Sequence, residues 1–216
     1  MVSWTTFHSK EEWKNHRNSI GGSDAGAIMG LCKWRDNLTL WREKCGYTEP
    51  EDISDRPFVQ YGINMEPHIR EAFKCHHPEF AVGYEENNLW TNDRIPFAHA
   101  SLDGWLETYD GRFGVLEIKT TEITSKAKWD EWDGRMPDTY YCQLLHYLNV
   151  TNFDFAILVA ELKVHRMDDE IEWHTIERRI EREEVQKDID ALEKKEREFW
   201  QCVASKTEPP RILPSI

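Results

Sequence analysis

The sequence predicts an α/β (α+β) fold, and three observations lead to this prediction. Apolar residues recur at helical spacing near both ends of the chain, whereas short β segments fill residues 80–121. A continuous apolar run occupies residues 153–162. Between two other apolar runs stands Tyr109-Asp110-Gly111, and Asp-Gly in this position is a strong hairpin signal. We therefore expect helices and strands to be combined in one fold.

The composition is that of a globular protein. The 216 residues are 39% hydrophobic and 31% charged, which suits a single domain over residues 1–216. No apolar run approaches the roughly 18 residues of a membrane span, and the N-terminus lacks a secretion signal. We expect a cytoplasmic protein without a membrane partner. The five cysteines are scattered without a Cys-x-x-Cys pair, which argues against a disulfide framework, a zinc ribbon or an iron–sulfur cluster.

The net charge of −13 argues against broad, nonspecific binding of nucleic acid, which needs a basic surface. It leaves room for a local positive channel inside an acidic exterior. That arrangement would confine DNA to the channel, and it stands as a hypothesis.

The N-terminal third contains a helix, a glycine-rich segment and a second helix. Ser9 and Glu12 form a capping box that begins a helix over about residues 11–17. The glycines around Ser23 and Asp24 predict a tight turn into a short helix, capped by one of these two residues. The segment lacks the Gly-Lys-Ser/Thr of a phosphate-binding P-loop, and a glycine-packed turn is the alternative to an anion site. Asn37 is predicted to cap the next helix, residues 38–45.

A longer helix is predicted over residues 59–75, with Pro67 directly after Glu66. Proline either strains a helix or begins a new one, and a bend here could aim Glu66 inward. An exposed glutamate at a helix start is the alternative.

The second half alternates between strands and helices. Strands are expected at residues 80–85, 88–91 and 97–101, then in the hairpin, and later at 153–162 and 171–178. Residues 126–134 form a loop or short helix. Helices follow at residues 137–149 and 181–204, and residues 208–214 form an extended tail. Within the first of these helices, Gln143 and Tyr147 stand at i and i+4 and share a face.

The hairpin ends in Glu117-Ile118-Lys119, the most informative stretch of the chain. Side chains alternate across a strand, so Glu117 and Lys119 share one face while Ile118 faces the core. Hairpin pairing can bring Asp103, near the start of the first strand, beside Glu117. Two adjacent carboxylates repel each other unless a cation lies between them, and hard oxygen ligands suit Mg²⁺. A surface hairpin with an exposed ion pair is the alternative.

These blocks occur in a recognisable order along the chain. The order is Arg17, Gly-Gly-Ser23-Asp24, Gly62-x3-Glu66-Pro, Ala-Ser101-x-Asp103-Gly, Glu117-x-Lys119 and Gln143-x3-Tyr147. It resembles the YqaJ-type viral recombinase group, the phage lambda exonuclease-like branch of the PD-(D/E)XK nuclease superfamily, over about residues 15–160. The resemblance implies a restriction-endonuclease-like core, a central mixed β-sheet flanked by helices, with a metal site at one sheet edge. One departure is Leu102, where the family's Ser-Pro-Asp-Gly block has proline.

The resemblance also implies the roles of individual residues. Asp103, Glu117 and the Ile118 carbonyl would hold Mg²⁺, with Mn²⁺ as an alternative, and Glu66 would complete the acidic cluster. Lys119 would orient and help deprotonate the attacking water, and Gln143 would support the site with Tyr147 beside it. The residues expected to bind DNA phosphate are Arg17, Ser23, Ser101, Gln143 and Tyr147.

The function implied is a metal-dependent exonuclease of phage or prophage origin. It would act 5′ to 3′ on double-stranded DNA ends and leave 3′ single-stranded tails for recombination. A ring-shaped homotrimer and a single-strand annealing protein as partner are implied as well. Two alternatives remain open: a structure-selective or restriction-like endonuclease on the same core, and a catalytically inactive DNA-binding module. Among ten tryptophans, Trp34, Trp129 and Trp132 are loop candidates for base stacking, with core packing as the alternative.

Overall fold

The computed structural model describes residues 1–166 and 170–212, which form two sheets and seven helices. The strands are β1 Val2–Thr6, β2 Phe80–Gly83, β3 Asn88–Asn92, β4 His99–Ala100, β5 Gly104–Thr108, β6 Phe113–Ile123, β7 Phe155–His165 and β8 Ile171–Glu181. The helices are α1 Lys10–His16, α2 Gly22–Ile28, α3 Asn37–Lys44, α4 Pro57–His76, α5 Lys126–Asp130, α6 Asp138–Thr151 and α7 Arg182–Ser205.

The larger sheet is mixed and has the strand order β2-β5-β6-β7-β8. Only the β6–β7 pair is parallel within it; the other three pairs are antiparallel. Parallel neighbours need a crossover connection, and α5 and α6 lie in the segment that joins β6 to β7. The smaller sheet has the order β1-β3-β4. The predicted α/β fold with a central mixed sheet is confirmed.

Helices cover both faces of the larger sheet. On one face, Ile69 and Phe73 of α4 pack against Leu116 and Ile118 of β6. On the other face, a larger core joins α2, α3, α6 and α7 to the sheets and includes Val115 of β6. Alternation along β6 therefore places Ile118 in the core, as predicted, where it packs against α4, and turns Glu117 and Lys119 toward α6.

Two predicted caps differ from the structure. Asp36, rather than Asn37, caps α3, because its side chain accepts a hydrogen bond from the Thr39 N–H at 2.8 Å. Asn37 is the first helical residue, and its side-chain amide instead bonds to the backbone of the tail at Pro210 and Ile212. Of the tail predicted over residues 208–214, residues 213 and 214 lie outside the described part.

The glycine-rich segment does turn into a short helix, but its N-cap residue is Gly21, and of the two predicted residues only Asp24, the third helical residue, contributes to the cap. The Asp24 carboxylate accepts a hydrogen bond from the Gly21 N–H at 2.9 Å. Farther along, α4 runs from Pro57 through Pro67 as one helix instead of beginning anew at the second proline. The first proline lies in the initial turn, where a missing N–H costs nothing.

Strand β1 was not predicted. It pairs antiparallel with β3 from Val2 opposite Asn92 to Thr6 opposite Asn88. Within the described residues, no helix combines the length and apolar character needed to cross a bilayer.

Candidate active site

The β5–β6 hairpin brings two carboxylates together. Gly104 pairs with Leu116, so Asp103, directly before β5, lies opposite Glu117. The Asp103 Oδ2 atom accepts a hydrogen bond from the Ile118 N–H at 2.8 Å, which fixes this carboxylate at the strand. The juxtaposition predicted from the Asp-Gly turn is confirmed.

Glu117 is buried and only partly satisfied. It is 1% exposed, and its Oε1 atom accepts hydrogen bonds from the Gln143 amide at 2.6 Å and from the Lys119 ammonium. Its Oε2 atom is buried without a hydrogen-bond partner. Burial and, after it, the nearby charge of Asp103 raise the pKa of Glu117 to about 8.

Two helical side chains support this carboxylate from α6. The Gln143 amide that reaches Glu117 also donates to the Tyr147 hydroxyl at 2.9 Å. The predicted shared face of these two residues is thereby confirmed. Burial and the charge of Glu117 raise the pKa of Tyr147, so its hydroxyl stays protonated. Lys119 has a raised pKa although burial disfavours its charge, because Glu117 and Asp103 stabilise the ammonium.

Glu66 approaches the same site from α4. Its carboxylate lies 3.0 Å from Nη1 of Arg70, and the same Nη1 donates to the Asp103 carbonyl. Burial and the charge of Asp103 raise the pKa of Glu66; burial also raises the pKa of Asp103. Arg70 was missed by the sequence analysis, although its i+4 spacing from Glu66 could have indicated it. The guanidinium stacks 3.4 Å from the ring centroid of Tyr84.

Glu66, Asp103, Lys119 and Gln143 border one cleft of about 680 Å³, whereas the buried Glu117 is not among its lining residues. Its lining includes most of the predicted site: Ser23, Glu66, Asp103, Ile118, Lys119 and Gln143. Trp34 also lines the cleft and is 77% exposed, whereas Trp132 is buried and Trp129 is half-buried. Of the three tryptophans considered for base stacking, Trp34 presents the most free ring surface.

Three predicted phosphate ligands, Arg17, Ser101 and the buried Tyr147, do not line this cleft. Arg17 follows α1 and stands beside the Gly21 backbone, with its Nε donating to His99 at 3.3 Å. Ser101 follows β4, and its Oγ atom is buried without a hydrogen-bond partner. Ser23 is the exposed member of the predicted set and lies at the cleft wall.

The donor set suits a hard divalent cation. Within residues 1–166 and 170–212, no three His, Cys, Asp or Glu side chains converge closely enough to surround an ion by themselves. The buried Oε2 of Glu117 nevertheless has no hydrogen-bond partner, and a second carboxylate, that of Asp103, lies opposite it across the hairpin. Oxygen ligands supplemented by water are what Mg²⁺ and Mn²⁺ accept.

Comparison with known proteins identifies the family of this chain. The family model of the YqaJ-like viral recombinase domain matches residues 12–154. A curated protein of Bacillus subtilis (strain 168), described as uncharacterized protein YqaJ, is 30% identical over 198 residues. The match covers 89% of this chain and 56% of that protein, so the chain spans about half the length of this relative.

Two solved structures share the fold. The alkaline exonuclease LHK-Exo from Laribacter hongkongensis matches with a TM-score of 0.67 and 21% identity, over 92% of this chain and 95% of its own. A phage-related exonuclease from Haemophilus somnus 129PT matches with a TM-score of 0.51 and 13% identity, over 90% and 99% of the two chains. Because the family model spans well over half of the sequence, the chain belongs to the YqaJ-like viral recombinase domain family.

Proposed function

We propose that this protein is a metal-dependent deoxyribonuclease that digests double-stranded DNA from its ends. In this proposal it acts 5′ to 3′ and leaves 3′ single-stranded tails for recombination. Family membership supports a role in recombination. The shared fold of LHK-Exo, an alkaline exonuclease also crystallised with dAMP, supports exonuclease chemistry.

The observation that carries the proposal is the free, buried Oε2 atom of Glu117 beside Asp103. Asp103, Glu117 and the Ile118 carbonyl would hold Mg²⁺ or Mn²⁺, with Glu66 completing the acidic cluster. A divalent ion bound there would make a water nucleophilic at neutral pH and neutralise charge on the phosphate.

The remaining side chains have separate tasks in hydrolysis. The water attacks phosphorus and releases a proton to solvent, the P–O bond to the neighbouring nucleotide breaks, and the departing oxygen takes up a proton from solvent. Lys119, at the cleft wall, places a fixed positive charge and a hydrogen-bond donor where phosphate charge builds up and orients the water. Gln143 holds the Glu117 carboxylate, and Tyr147 holds the Gln143 amide.

DNA phosphates would be bound at Ser23 on the cleft wall and at Arg17 and Ser101, which are not part of its lining. Both of the latter retain unused hydrogen-bonding capacity within the described residues. The acidic remainder of the chain would keep DNA confined to this region. Family resemblance further supports a ring-shaped homotrimer, a single-strand annealing partner, and a phage or prophage protein acting in the bacterial cytoplasm.

Digestion of end-labelled DNA tests the proposal. A linear duplex labelled at one 5′ or one 3′ end is incubated with the protein beside a closed circle, in Mg²⁺ and in EDTA. We expect early release of the 5′ label in Mg²⁺ alone, with the circle intact. Cutting of the circle would instead identify an endonuclease. Absence of metal-dependent loss from both substrates would overturn the nuclease proposal and favour a binding module.

A further inference from the structure

Arg17 is a half-buried cation that forms no ion pair with any described residue, and the charge of Asp24 acts on it only from a longer distance. Among the described residues, no carboxylate lies within 4.0 Å of its guanidinium, and its two Nη atoms make no hydrogen bond. Burial lowers the pKa of Arg17, which measures the cost of this placement. Buried charges are ordinarily paired, so four unused N–H donors on one guanidinium indicate a site for an external anion.

The guanidinium is nevertheless held in place on two sides. Its central carbon lies 4.1 Å from the ring centroid of Trp13, a cation–π distance. Its Nε donates to Nε2 of His99 at 3.3 Å. These contacts occupy the flat face of the guanidinium and its Nε–H, and they leave the N–H groups of both Nη atoms free to bind a ligand.

The state of His99 follows from its partners. Arginine donates and never accepts, so Nε2 of His99 carries the lone pair and Nδ1 carries the proton. That proton is donated to the Ser19 hydroxyl at 2.8 Å. Burial and the charge of Arg17 lower the pKa of His99 to about 3, which keeps the ring neutral.

The imidazole itself is anchored more firmly than the arginine. His99 is 2% exposed, and its backbone N–H donates to the Ile20 carbonyl at 2.8 Å. Its carbonyl accepts a hydrogen bond from Nε2 of His146 at 2.9 Å, and His146 is paired with Glu196 of α7. A Cβ atom at position 21 would lie 3.1 Å from the acceptor nitrogen, so Gly21 gives the ring its space.

We propose that His99 is a positioning residue that holds Arg17 ready to bind a DNA phosphate. This inference rests on the proposed function and adds a residue to it. A carboxylate at this place would also hold the arginine, but it would neutralise the guanidinium and compete with the phosphate. A neutral acceptor fixes the direction of the side chain and preserves its full charge for the ligand.

Matched substitutions of His99 separate positioning from stability. His99→Gln can place its amide oxygen near the Nε2 position and keep an acceptor for Arg17. His99→Asn reaches only the Nδ1 position, so it retains a partner for Ser19 and loses the arginine. Both replace a buried ring by a smaller amide, and thermal unfolding of each reports the structural cost they share.

The measurement is kcat/KM for Mg²⁺-dependent digestion of a linear duplex by the full chain. We expect Arg17→Ala and His99→Asn each to lower kcat/KM about tenfold, the effect of one lost charge-assisted contact. His99→Gln stays within about threefold of wild type, and the Arg17→Ala/His99→Asn double variant falls no further than either single variant. For Arg17→Ala and for His99→Asn, the slope of log KM against log salt concentration becomes shallower by about one.

Several results would overturn the inference. These are a His99→Asn variant with wild-type kcat/KM, a His99→Gln variant as impaired as His99→Asn, or additive effects in the double variant. If His99→Asn does not fold, Ser19→Ala, which frees the ring proton, must show a smaller loss that disappears in the Arg17→Ala background. Digestion by the wild-type protein distinguishes failure of this inference from failure of the proposed function. If wild type digests DNA and the variants do not behave as expected, only the role of His99 is wrong. If wild type does not digest DNA, the proposed function is wrong as well.

Discussion

Asp24 and Glu117 are both buried carboxylates, yet their surroundings are opposite. Asp24 is 5% exposed and receives the ammonium of Lys44 at 2.8 Å, the guanidinium of Arg35 at 2.7 Å and the Gly21 N–H at 2.9 Å. Burial opposes its charge, but Lys44 and Arg35 outweigh burial and lower the pKa of Asp24 to about 2. Glu117 is equally buried, retains a free oxygen, and has a pKa raised to about 8.

The two sites also differ in their balance of positive and negative charge. At Asp24, the two cations Lys44 and Arg35 face two carboxylates, those of Asp24 and Glu43, so the charges balance. At the candidate site, Lys119 and Arg70 face three carboxylates, those of Glu66, Asp103 and Glu117. The first cluster is complete and ties α2 to its neighbours. The candidate site has too little positive charge, which a divalent cation would supply. Burial alone therefore does not distinguish a structural carboxylate from a metal-binding one, whereas the charged groups around each carboxylate do.

Removal of Glu117 should have the largest effect on activity. We expect Glu117→Ala to lower the rate of DNA cleavage about 10³-fold, comparable to the loss of a key group that stabilises transition-state charge. The fold should persist, because the carboxylate is incompletely satisfied. End-labelled duplex digestion measures the rate and circular dichroism checks the fold. An unchanged cleavage rate would contradict the assignment of the site.

Removal of Asp24 should have the larger effect on stability. Asp24→Asn leaves the buried ammonium of Lys44 without its anion and Arg35 with Glu43 alone, and we expect the free energy of unfolding to fall by about 3 kcal/mol. Urea unfolding measures it, with metal-free Glu117→Gln as the matched control that should not lose stability. Equal destabilisation of both variants would remove the distinction between the two carboxylates.

The two groups also predict opposite dependence of stability on pH. The pKa of Asp24 is depressed, so its contribution is present above pH 3.8 and is lost as pH falls through about 2. The pKa of Glu117 is raised, so its contribution is present below pH 4.5 and is lost as pH rises through about 8. As pH rises from 4.5 to about 8 in EDTA, the free energy of unfolding of wild type should therefore fall by about 2 kcal/mol or more relative to that of Glu117→Gln. A constant difference across that range would show that Glu117 ionises normally.

Tyr147 should give the smallest effect. Tyr147→Phe keeps the ring and removes the acceptor of one Gln143 amide hydrogen, so Gln143 would hold Glu117 less firmly. We expect cleavage to slow about threefold, the loss of one neutral hydrogen bond. A decrease as large as that of Glu117→Ala would mean that the hydroxyl takes part in the chemistry directly.

The sequence predicted the parts of the site that local geometry determines. The Asp-Gly turn sets the register that pairs Asp103 with Glu117, and helical spacing joins Gln143 to Tyr147. Strand alternation also placed Ile118 on the opposite face from Glu117. Each of these relations acts over a few residues or one hairpin, so the sequence pattern was sufficient.

Relations between distant segments were not predicted. Strand β1 has no strong apolar alternation and exists because β3 offers it an edge. Asn37 has the side chain of a typical helix cap, yet its amide donates to the Pro210 carbonyl in the tail, and Asp36 caps the helix instead. The contact of Arg17 with His99 joins residues far apart in the chain, and neither residue type reveals it.

Thermal unfolding with and without Mn²⁺ tests the central claim most directly, because a ligand that binds the folded state raises Tm. Wild type, Asp24→Asn and Glu117→Gln are each unfolded in EDTA and then in Mn²⁺. We predict that Mn²⁺ raises the Tm of wild type and of Asp24→Asn by similar amounts and leaves Glu117→Gln unchanged. An equal increase for Glu117→Gln would contradict the claim that the free oxygen of Glu117 binds the metal.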